Sequence, residues 1–584
     1  MASIGIYFGV TTCMASVIGE GNQPRVIKDE RGNEAIDAYF GIDPKTQSPC
    51  VGEKVKTTFQ STPSLAVEQI QRRMGEEVEI AFGSESIGSQ KLAPEEIAAH
   101  LFRHLKRSAK ARLEEEVDRC VITVPGQFSD PARRATQRAG EIAGMTVERI
   151  INEPTAAVLA YDYEERIEDG YVMVYNLGEA TFDASIVKKT EDVIDVEASS
   201  RDPGLEGKDF NEALLWHVAE KFEDEHGVSI EPESGNYYRL LFECEDVRKE
   251  LAHSREASAH IPYFTKKEEE PIDLHVGISR SEYEDLIGPL VAETVRPIEA
   301  VLEDGGLARS DLEDVILVGK EARDPYVESF VRHTTGVPPL TEIDPEKVVA
   351  LGTAIETAII DGETDHTIMD VCPFSLGIAE AVEAPQGSVR SGRYTEIIPA
   401  NSKVLHPHTF IKKTKRRNQD SIQLRLYQRE NTSDSRQAEI GGEPNEEEGF
   451  TLVADLEVEM PPGPAGQEVQ FSLVYNPDGM LDIEAETLRT GMEMTFQAHA
   501  GLNESKVEQS RQKSKRDWKE SEYFEDVRAL LQAAEDELES GMEAEKEEQL
   551  RSLLDDIKRA LAADDRKRID ALEEEITDVL FALR

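Results

Sequence analysis

The segment Gly5 to Cys13, GIYFGVTTC, offers the first possible chemistry of the chain. An apolar run leads into Gly9, and Thr11 and Thr12 open the way back, so it reads as a strand, a tight glycine turn and a return strand. Backbone N–H groups at such a turn can cradle phosphate oxygens, because glycine has no Cβ to hold them off. A metal-handling acid would be expected two residues before Gly9, but Tyr7 stands there. A second pair of β-rich runs, YVMVYNLGEATFDASIV, turns around Gly178. The cysteines (Cys13, Cys50, Cys120, Cys244 and Cys372) are odd in number, far apart and without a CxxC. That spacing argues against a disulfide framework or a zinc site and fits a reducing cytoplasm.

These turns need strands and helices to hold them. Residues 1 to about 362 alternate strand-like and helix-like segments, the pattern of an α/β domain. RCVITVPGQF reads as a strand into a turn, and DPARRATQRAGEIAG as a helix with Asp130 as N-cap and Pro131 at its first position. VILVGKEARDPYVESFV reads as strand, turn and helix. A short polar stretch, 363–371, is a linker by composition. Residues 372–500 alternate polar and apolar, with NPDG joining two runs as a hairpin, so an all-β module follows. From 501 to 584 the apolar residues step by three and four, as in Leu550, Leu553, Leu554, Ile557 and Leu561. Three amphipathic helices in a short bundle are predicted; a coiled-coil dimer is the competing reading, which the AADDRK break disfavours.

The 584 residues are too many for a single core and predict about two to four domains. There are 117 acids against 65 bases, a formal charge of −52, and the acidic runs are scattered along the chain. That balance disfavours a nucleic-acid binder. At molar salt the Debye length falls to about 3 Å and such self-repulsion is screened, so a salt-rich cytoplasm of the halophilic kind is expected. The first 19 residues carry no charged side chain, but they lack a basic leader region and are broken by Gly9, Thr11 and Thr12, so a buried hairpin is a better reading than a signal peptide. No membrane span is predicted. The expected location is cytoplasmic.

The order of these parts, with INEPTAAVLAY at Ile151 to Tyr161 and then TFDASI, DVCPFSLGI and NPDGMLDIEAE, resembles the seventy-kilodalton heat-shock chaperone family over nearly the whole chain. The resemblance implies an actin-like α/β ATPase domain at 1–362, a linker at 363–371, a β-sandwich substrate-binding domain at 372–500 and a helical lid at 501–584. It implies Mg2+ with ATP or ADP in a cleft between two lobes, each presenting a hairpin to the phosphates. It also implies unfolded polypeptide clients and co-chaperones as partners, and neither nucleic acid nor membrane.

The family's first hairpin runs Ile-Asp-Leu-Gly-Thr-Thr; here Gly9 and Thr11 match, while Tyr7 replaces the acid and Val10 the first threonine. In the second, Gly178, Thr181 and Asp183 match, but Asn176 replaces the acid and Glu179 a glycine. The catalytic lysine position holds Gln71, unless Arg72 stands in. On the adenosine side the resemblance marks Gly207, Glu245, Arg248, Gly319 and Arg323, with Lys320 and Glu321 where the family has glycine and serine, and Ala252 where it has serine. Glu153 and Asp183 are the acids left for catalysis, and Pro125 and Arg133, with Glu153, match positions coupling the cleft to the peptide module. Losing one preorganised group typically costs about 100- to 1000-fold in rate. Such losses do not add. Hydrolysis is expected to be weak or absent, and nucleotide binding stays open. The linker run His366, Thr367, Ile368 and Met369 is less apolar than the family's leucines, so weaker ATP-driven docking is expected.

In the β-module the resemblance marks Ile378, Phe410, Ile422 and Leu424 as a pocket for an apolar peptide side chain, with Ala381 opening it. Their alternation alone would suit plain core packing. The basic run KKTKRR, Lys412 to Arg417, is read as a solvated loop, with a surface for acidic clients as the alternative. The predicted function is therefore a chaperone-like binder of unfolded polypeptide with a degenerate ATP site. The alternatives are an ATP-driven chaperone with rerouted catalytic residues and a regulatory scaffold for other chaperones.

Overall fold

The computed structural model describes residues 2–497 except 44–48, 62, 85–87, 179–181, 192, 202–209, 233, 268–269, 363–366, 370, 373, 384–388, 401 and 430–449, together with separate helical positions between 527 and 580. The chain divides into two compact units: residues 1–140 with 145–501, and residues 502–584 with the short piece 141–144.

The larger unit opens with the same strand order twice. In the first sheet the order is Thr146–Asn152, Val117–Val124, Ala2–Phe8, Thr12–Ile18 and Pro24–Val26, with Ile36–Asp37 also paired to Thr12–Ile18. In the second it is Pro339–Leu340, Leu312–Val318, Gly170–Leu177, Phe182–Thr190 and Val193–Arg201, with Thr367–Met369 added at the edge. Each sheet is thus built on an antiparallel hairpin, Ala2–Phe8 with Thr12–Ile18 and Gly170–Leu177 with Phe182–Thr190, flanked by a parallel strand. The central strands are apolar runs buried on both faces, as parallel pairing beneath helices requires. Ile4, Ile6, Phe8, Val172, Met173 and Tyr175 are almost fully buried.

A second group of strands in this unit forms two four-stranded sheets. One runs Val389–Ile398, Ser375–Glu383, Ser421–Arg429 and Phe450–Glu459; the other His408–Lys413, Glu468–Tyr475, Leu481–Thr487 and Met492–Gln497. Burial alternates residue by residue along Glu468–Tyr475 and Leu481–Thr487, so one face of that sheet is core. Phe471, Leu473, Leu481 and Ile483 meet Leu376, Leu426 and Val453 there. The NPDG hairpin closes through Asn476, whose side-chain oxygen accepts from the Asp478 and Met480 amides at 3.1 and 3.0 Å. Gly479 takes φ +68°, and its bare Cα lets the Arg133 guanidinium approach: a Cβ there would lie 3.1 Å from Arg133 Cζ.

In the smaller unit, Val527, Leu531, Ala534, Leu550, Leu554, Ile557, Leu561, Ile569 and Ile576 share one buried apolar cluster within a single chain. The three predicted stripes therefore bury against one another. Tyr523, Phe524 and Leu583 lie outside the described residues.

Candidate functional site

The two hairpins face one cavity of about 30 Å³, lined by Tyr7, Val10, Thr11, Thr12, Gln71, Pro125, Glu153, Asn176, Gly178, Gly319, Lys320 and Glu346. The structure thus gathers at one place residues that lie more than 300 positions apart in sequence. The turn of the first hairpin closes with the Gly9 amide on the Thr12 carbonyl at 3.0 Å. It admits no side chain at Gly9, where a Cβ would lie 2.6 Å from that carbonyl and 2.7 Å from the Tyr7 hydroxyl. Tyr7 therefore fills space beside its own turn.

Gln71 sits on a short 3-10 helix, Ile70–Arg73, and is 2% exposed. Its carboxamide donates to the Phe8 carbonyl, which ties it to the first hairpin. Gln71 lines the cavity; Arg72 is not among the residues that do. Asn176 and Asp183 oppose each other across the second hairpin. The Asn176 amide nitrogen donates to Glu153 Oε2 at 2.7 Å, and both residues are buried. Glu153 begins the helix Glu153–Tyr163, with Pro154 in its first turn, the position where proline costs no hydrogen bond. Thr181 and Gly207 lie outside the described residues, as do Glu179, Glu206 and Asp209.

Several of the residues that the resemblance marks for the adenosine side bond to one another or to close neighbours. Arg248, on the helix Gly235–Leu251, makes a two-point ion pair with Glu321, one contact at 2.9 Å, and both side chains are nearly fully buried. Its guanidinium also lies over the Phe210 ring, 5.8 Å from the centroid. Glu245 accepts from Lys320 at 2.8 Å and from Lys56, on the helix Glu53–Ser61, at 3.2 Å. Burial alone would raise the Glu245 pKa, but the Lys320 and Lys56 ammonium groups outweigh it and hold the carboxyl well below the usual range. Arg323 sits at the rim, half exposed, on Glu346 at 2.9 Å and Asp344 at 3.4 Å. Cys13, opposite Phe8 in the first hairpin, is no nucleophile: burial pushes its thiol up to about 12.

From the cleft a line of hydrogen bonds reaches the β-module. Asn152, next to Glu153, accepts from Arg133 Nη2 at 2.6 Å, and Arg133 also donates to the carbonyls of Phe128 at 3.1 Å and Asp478 at 3.2 Å. Arg133 is 3% exposed, so it is not a solvated helix base. The Ile150 amide donates to Asp478 Oδ1 at 2.9 Å. Asp130 differs from the expected N-cap. Its carboxylate accepts from Arg134 Nε at 2.8 Å and from the Leu481 amide of the β-module at 2.5 Å, contacts that a capping reading of the sequence alone does not reveal. Arg134 in turn donates to the Leu481 carbonyl at 2.7 Å. Gln428 completes the group, accepting from the Asp130 amide at 3.2 Å and donating to the Tyr475 hydroxyl at 3.2 Å.

The linker strand Thr367–Met369 pairs in parallel with Val193–Asp195, and Lys403 forms an ion pair with Asp195. The linker is therefore docked on the second sheet, although its run is less apolar than the family's leucines. Ile378, Ile422 and Leu424 are buried with Phe374 and Leu376 in the β-module core, and Phe410 packs against them, stacked on Phe471 with ring centroids 5.2 Å apart. The structure brings the four together, Ile378, Ile422 and Leu424 as packed core and Phe410 only partly buried beside it. The side chain of Ala381 lies outside the described residues. Sequence reasoning missed Thr12, Glu346, Lys56, Asp130, Asp195, Gln428 and Asp478; none carries a local signal beyond its charge or its place near a turn.

Two sheets of one strand order meeting at a hairpin-walled cleft, with a β-module bonded to the same body, define a class of protein with a duplicated α/β body and an appended β-module. The chain matches the Hsp70 protein family over residues 3–583 and belongs to it. It is 34% identical over 511 residues to proteins named chaperone protein DnaK from two strains of Halobacterium salinarum, covering 87% of this chain and 76% of theirs. The family implies an actin-like ATPase domain, a substrate-binding β-sandwich and a helical lid, and its members bind ATP or ADP with Mg2+ and act on unfolded polypeptides with co-chaperones. The acid excess has the halophilic character of those relatives' source. Among the described residues, no helix is long and apolar enough to cross a membrane.

Proposed function

We propose that this chain is a chaperone that holds apolar polypeptide segments in its β-module and turns over ATP weakly or not at all. The layout proposed is an ATPase-type domain at 1–362, a linker at 363–371, a substrate-binding module at 372–500 and a lid at 501–584, in a cytoplasmic protein that works with co-chaperones. The supporting observation is the state of the cleft's polar groups. Where the family holds metal, water and γ-phosphate with two acids, a lysine and a threonine, this chain has Tyr7, Asn176, Gln71 and Val10. The two amides are already engaged, on Glu153 and on the Phe8 carbonyl. An amide is a poor ligand for Mg2+ compared with a carboxylate, and a carboxamide cannot stabilise developing negative charge as an ammonium does. The nucleoside side is occupied by the Arg248–Glu321 and Lys320–Glu245 pairs. The residues present do not fit Mg–ATP as the family handles it. What remains is binding: main-chain pairing with an extended peptide and apolar contacts around Phe410.

The test is calorimetry with Mg–ATP in molar KCl, followed by a turnover assay. Turnover at ordinary chaperone rates would make the chain an ATP-driven chaperone through Glu153 and Asp183. Failure to bind any apolar peptide would remove the holding function and favour a regulatory scaffold.

A further inference from the structure

We infer that the loop Thr414–Asp420 is a subsite for the acidic flanks of a bound polypeptide segment. The inference rests on the reading of the β-module as a peptide binder and names the kind of segment it takes. The loop joins His408–Lys413 of one sheet to Ser421–Arg429 of the other, so it crosses the rim where the two sheets meet. Phe410 lies just before it and Ile422 just after it.

Three features make the loop more than a solvated turn. Lys415, Arg416 and Arg417 are all exposed and form no ion pair among the described residues, whereas the neighbouring Lys413 is paired with Glu468 at 2.7 Å. In a chain with 117 acids for 65 bases, three adjacent bases left without acids are conspicuous. Asp420 and Glu459 are close in the fold, since Ser421 pairs with Glu459, yet neither takes one of the three.

The loop is also held in shape. The Asn418 amide donates to the Gly463 carbonyl at 2.8 Å and the Met460 amide to the Asp420 carbonyl at 2.7 Å. The Thr414 amide donates to the Gln467 carbonyl at 2.9 Å, and the Gln467 amide returns a bond to the Thr414 hydroxyl at 3.0 Å. Lys415 N–H donates to the Gln419 side chain at 2.8 Å. The opposing loop carries Pro461, Pro462 and Pro464, which limit its backbone freedom. The bases are therefore presented on a preorganised backbone, which lowers the entropy cost of using them.

Carboxylates are the matching chemistry. A chain of net charge −52 repels an acidic client as a whole. At molar salt that long-range repulsion is screened to about 3 Å, and only contact-range pairs survive. A local basic loop then lets acidic residues flanking an apolar anchor come to rest without like-charge contact. Once the anchor is held, the flanks meet the loop at high effective concentration. Three bases neutralise too few phosphates to favour nucleic acid over a peptide in such salt.

The test uses the full chain, fluorescence anisotropy and molar KCl. Three labelled peptides share a leucine-rich core and carry Asp-Asp, Ser-Ser or Lys-Lys at both ends. The Asp-flanked peptide is expected to bind roughly three- to tenfold tighter than the Ser-flanked one, the range that a few exposed pairs supply. The triple variant Lys415→Ser, Arg416→Ser, Arg417→Ser is expected to bring the Asp-flanked affinity to the Ser-flanked value and leave the latter unchanged, which also shows that the variant is folded. Ser-flanked binding with no flank preference, or a preference that survives in the triple variant, overturns the subsite and leaves peptide binding intact. Equal affinity for an acidic peptide without the leucine core, or for oligo-dT, overturns it in favour of a general polyanion surface. If no peptide binds, the peptide-binding reading fails and the subsite falls with it.

Discussion

Asp130→Ala tests how the β-module is held to the α/β body. Asp130 is fully buried; its Oδ1 takes Arg134 Nε at 2.8 Å, and its Oδ2 takes Arg134 Nη2 at 3.4 Å and the Leu481 amide at 2.5 Å. Alanine leaves Arg134, only 8% exposed, with the Leu481 carbonyl as its remaining partner in this group, and strips Leu481 N–H of its acceptor. Removing one partner of a buried ion pair costs about 3–5 kcal/mol, because the other charge stays out of water. That cost applies while the β-module stays docked. On separation, Arg134 and the Leu481 amide regain water, so the penalty falls on docking and not on either body's own core. Docking should weaken by roughly 100- to several-thousand-fold. Hydrogen exchange read by mass spectrometry is the assay. Amides of 478–485 and 193–195 should lose protection, while those of the central strands Ala2–Phe8 and Gly170–Leu177 keep theirs. Asp130→Asn keeps one acceptor and should lose less. Because the pair is buried, the effect should persist in molar KCl, whereas the half-exposed Lys403–Asp195 pair should lose its contribution there. Wild-type protection around Leu481 in the alanine variant would refute the argument.

Further predictions concern charge at the cleft and the interface. Restoring the family residues together, by Tyr7→Asp, Val10→Thr, Gln71→Lys and Asn176→Asp, should raise single-turnover ATP hydrolysis by at least about 100-fold over the parent chain, the typical worth of one such group; no gain would mean that the cleft is limited elsewhere. The Glu245 carboxyl is depressed below its ordinary 4.5, so its contribution is full above that pH and is lost as pH falls through the lowered value; Glu245→Gln should remove it at neutral pH, seen as faster exchange in the helices Glu53–Ser61 and Gly235–Leu251. Burial raises Asp478 above its ordinary 3.8, so its contribution to docking is full below that pH and fades as pH rises through the raised value; Asp478→Asn should flatten this dependence in the exchange of 478–485, and an unchanged profile would clear Asp478 of the role.

Much of the architecture was legible because it is periodic. The alternation in EVQFSLVYNPDG appears directly as one-sided burial, that in SIQLRLYQRE does so as far as Leu426, and the leucine stripes of the tail appear as one apolar cluster. The hairpin at Gly9 was legible because a turn with no room for a Cβ must be glycine. The partners of individual charges were not legible. Nothing near Asp130 says that its carboxylate serves Leu481, 351 residues away. Nor does the sequence say that Glu321 will meet Arg248. Such pairs are fixed by tertiary packing, which local pattern does not encode. Phe410 and Ile422 have the same limit: period two places them on an inner face but does not say whether that face is closed core or open groove.

The replacements in the cleft follow a pattern that bears on what the cleft is for. Substitution without constraint at a buried polar site tends to leave donors and acceptors unmatched, at about 1–3 kcal/mol each. Here the replaced positions have found partners. Asn176 donates to Glu153, Gln71 to the Phe8 carbonyl, Lys320 to Glu245, and Glu321 takes Arg248 on both oxygens. Val10 has the shape of the threonine it replaces without its hydroxyl, so no polar group is left to satisfy. Meanwhile the residues between cleft and β-module, Glu153, Arg133 and Asp130, are charged, buried and bonded. On the proposed reading, the changes fall on the groups that would do chemistry, while those that tie the sheets together stay satisfied. The side chains now supply, from within the chain, ties across the cleft that need no nucleotide, and the same ties continue through Asn152 and Arg133 to the NPDG turn. If, as proposed, the cleft turns over little ATP, its remaining work is mechanical, and cutting the Asn176–Glu153 bond, by Asn176→Ala, should be felt at Asp478 before it is felt in any assay of ATP.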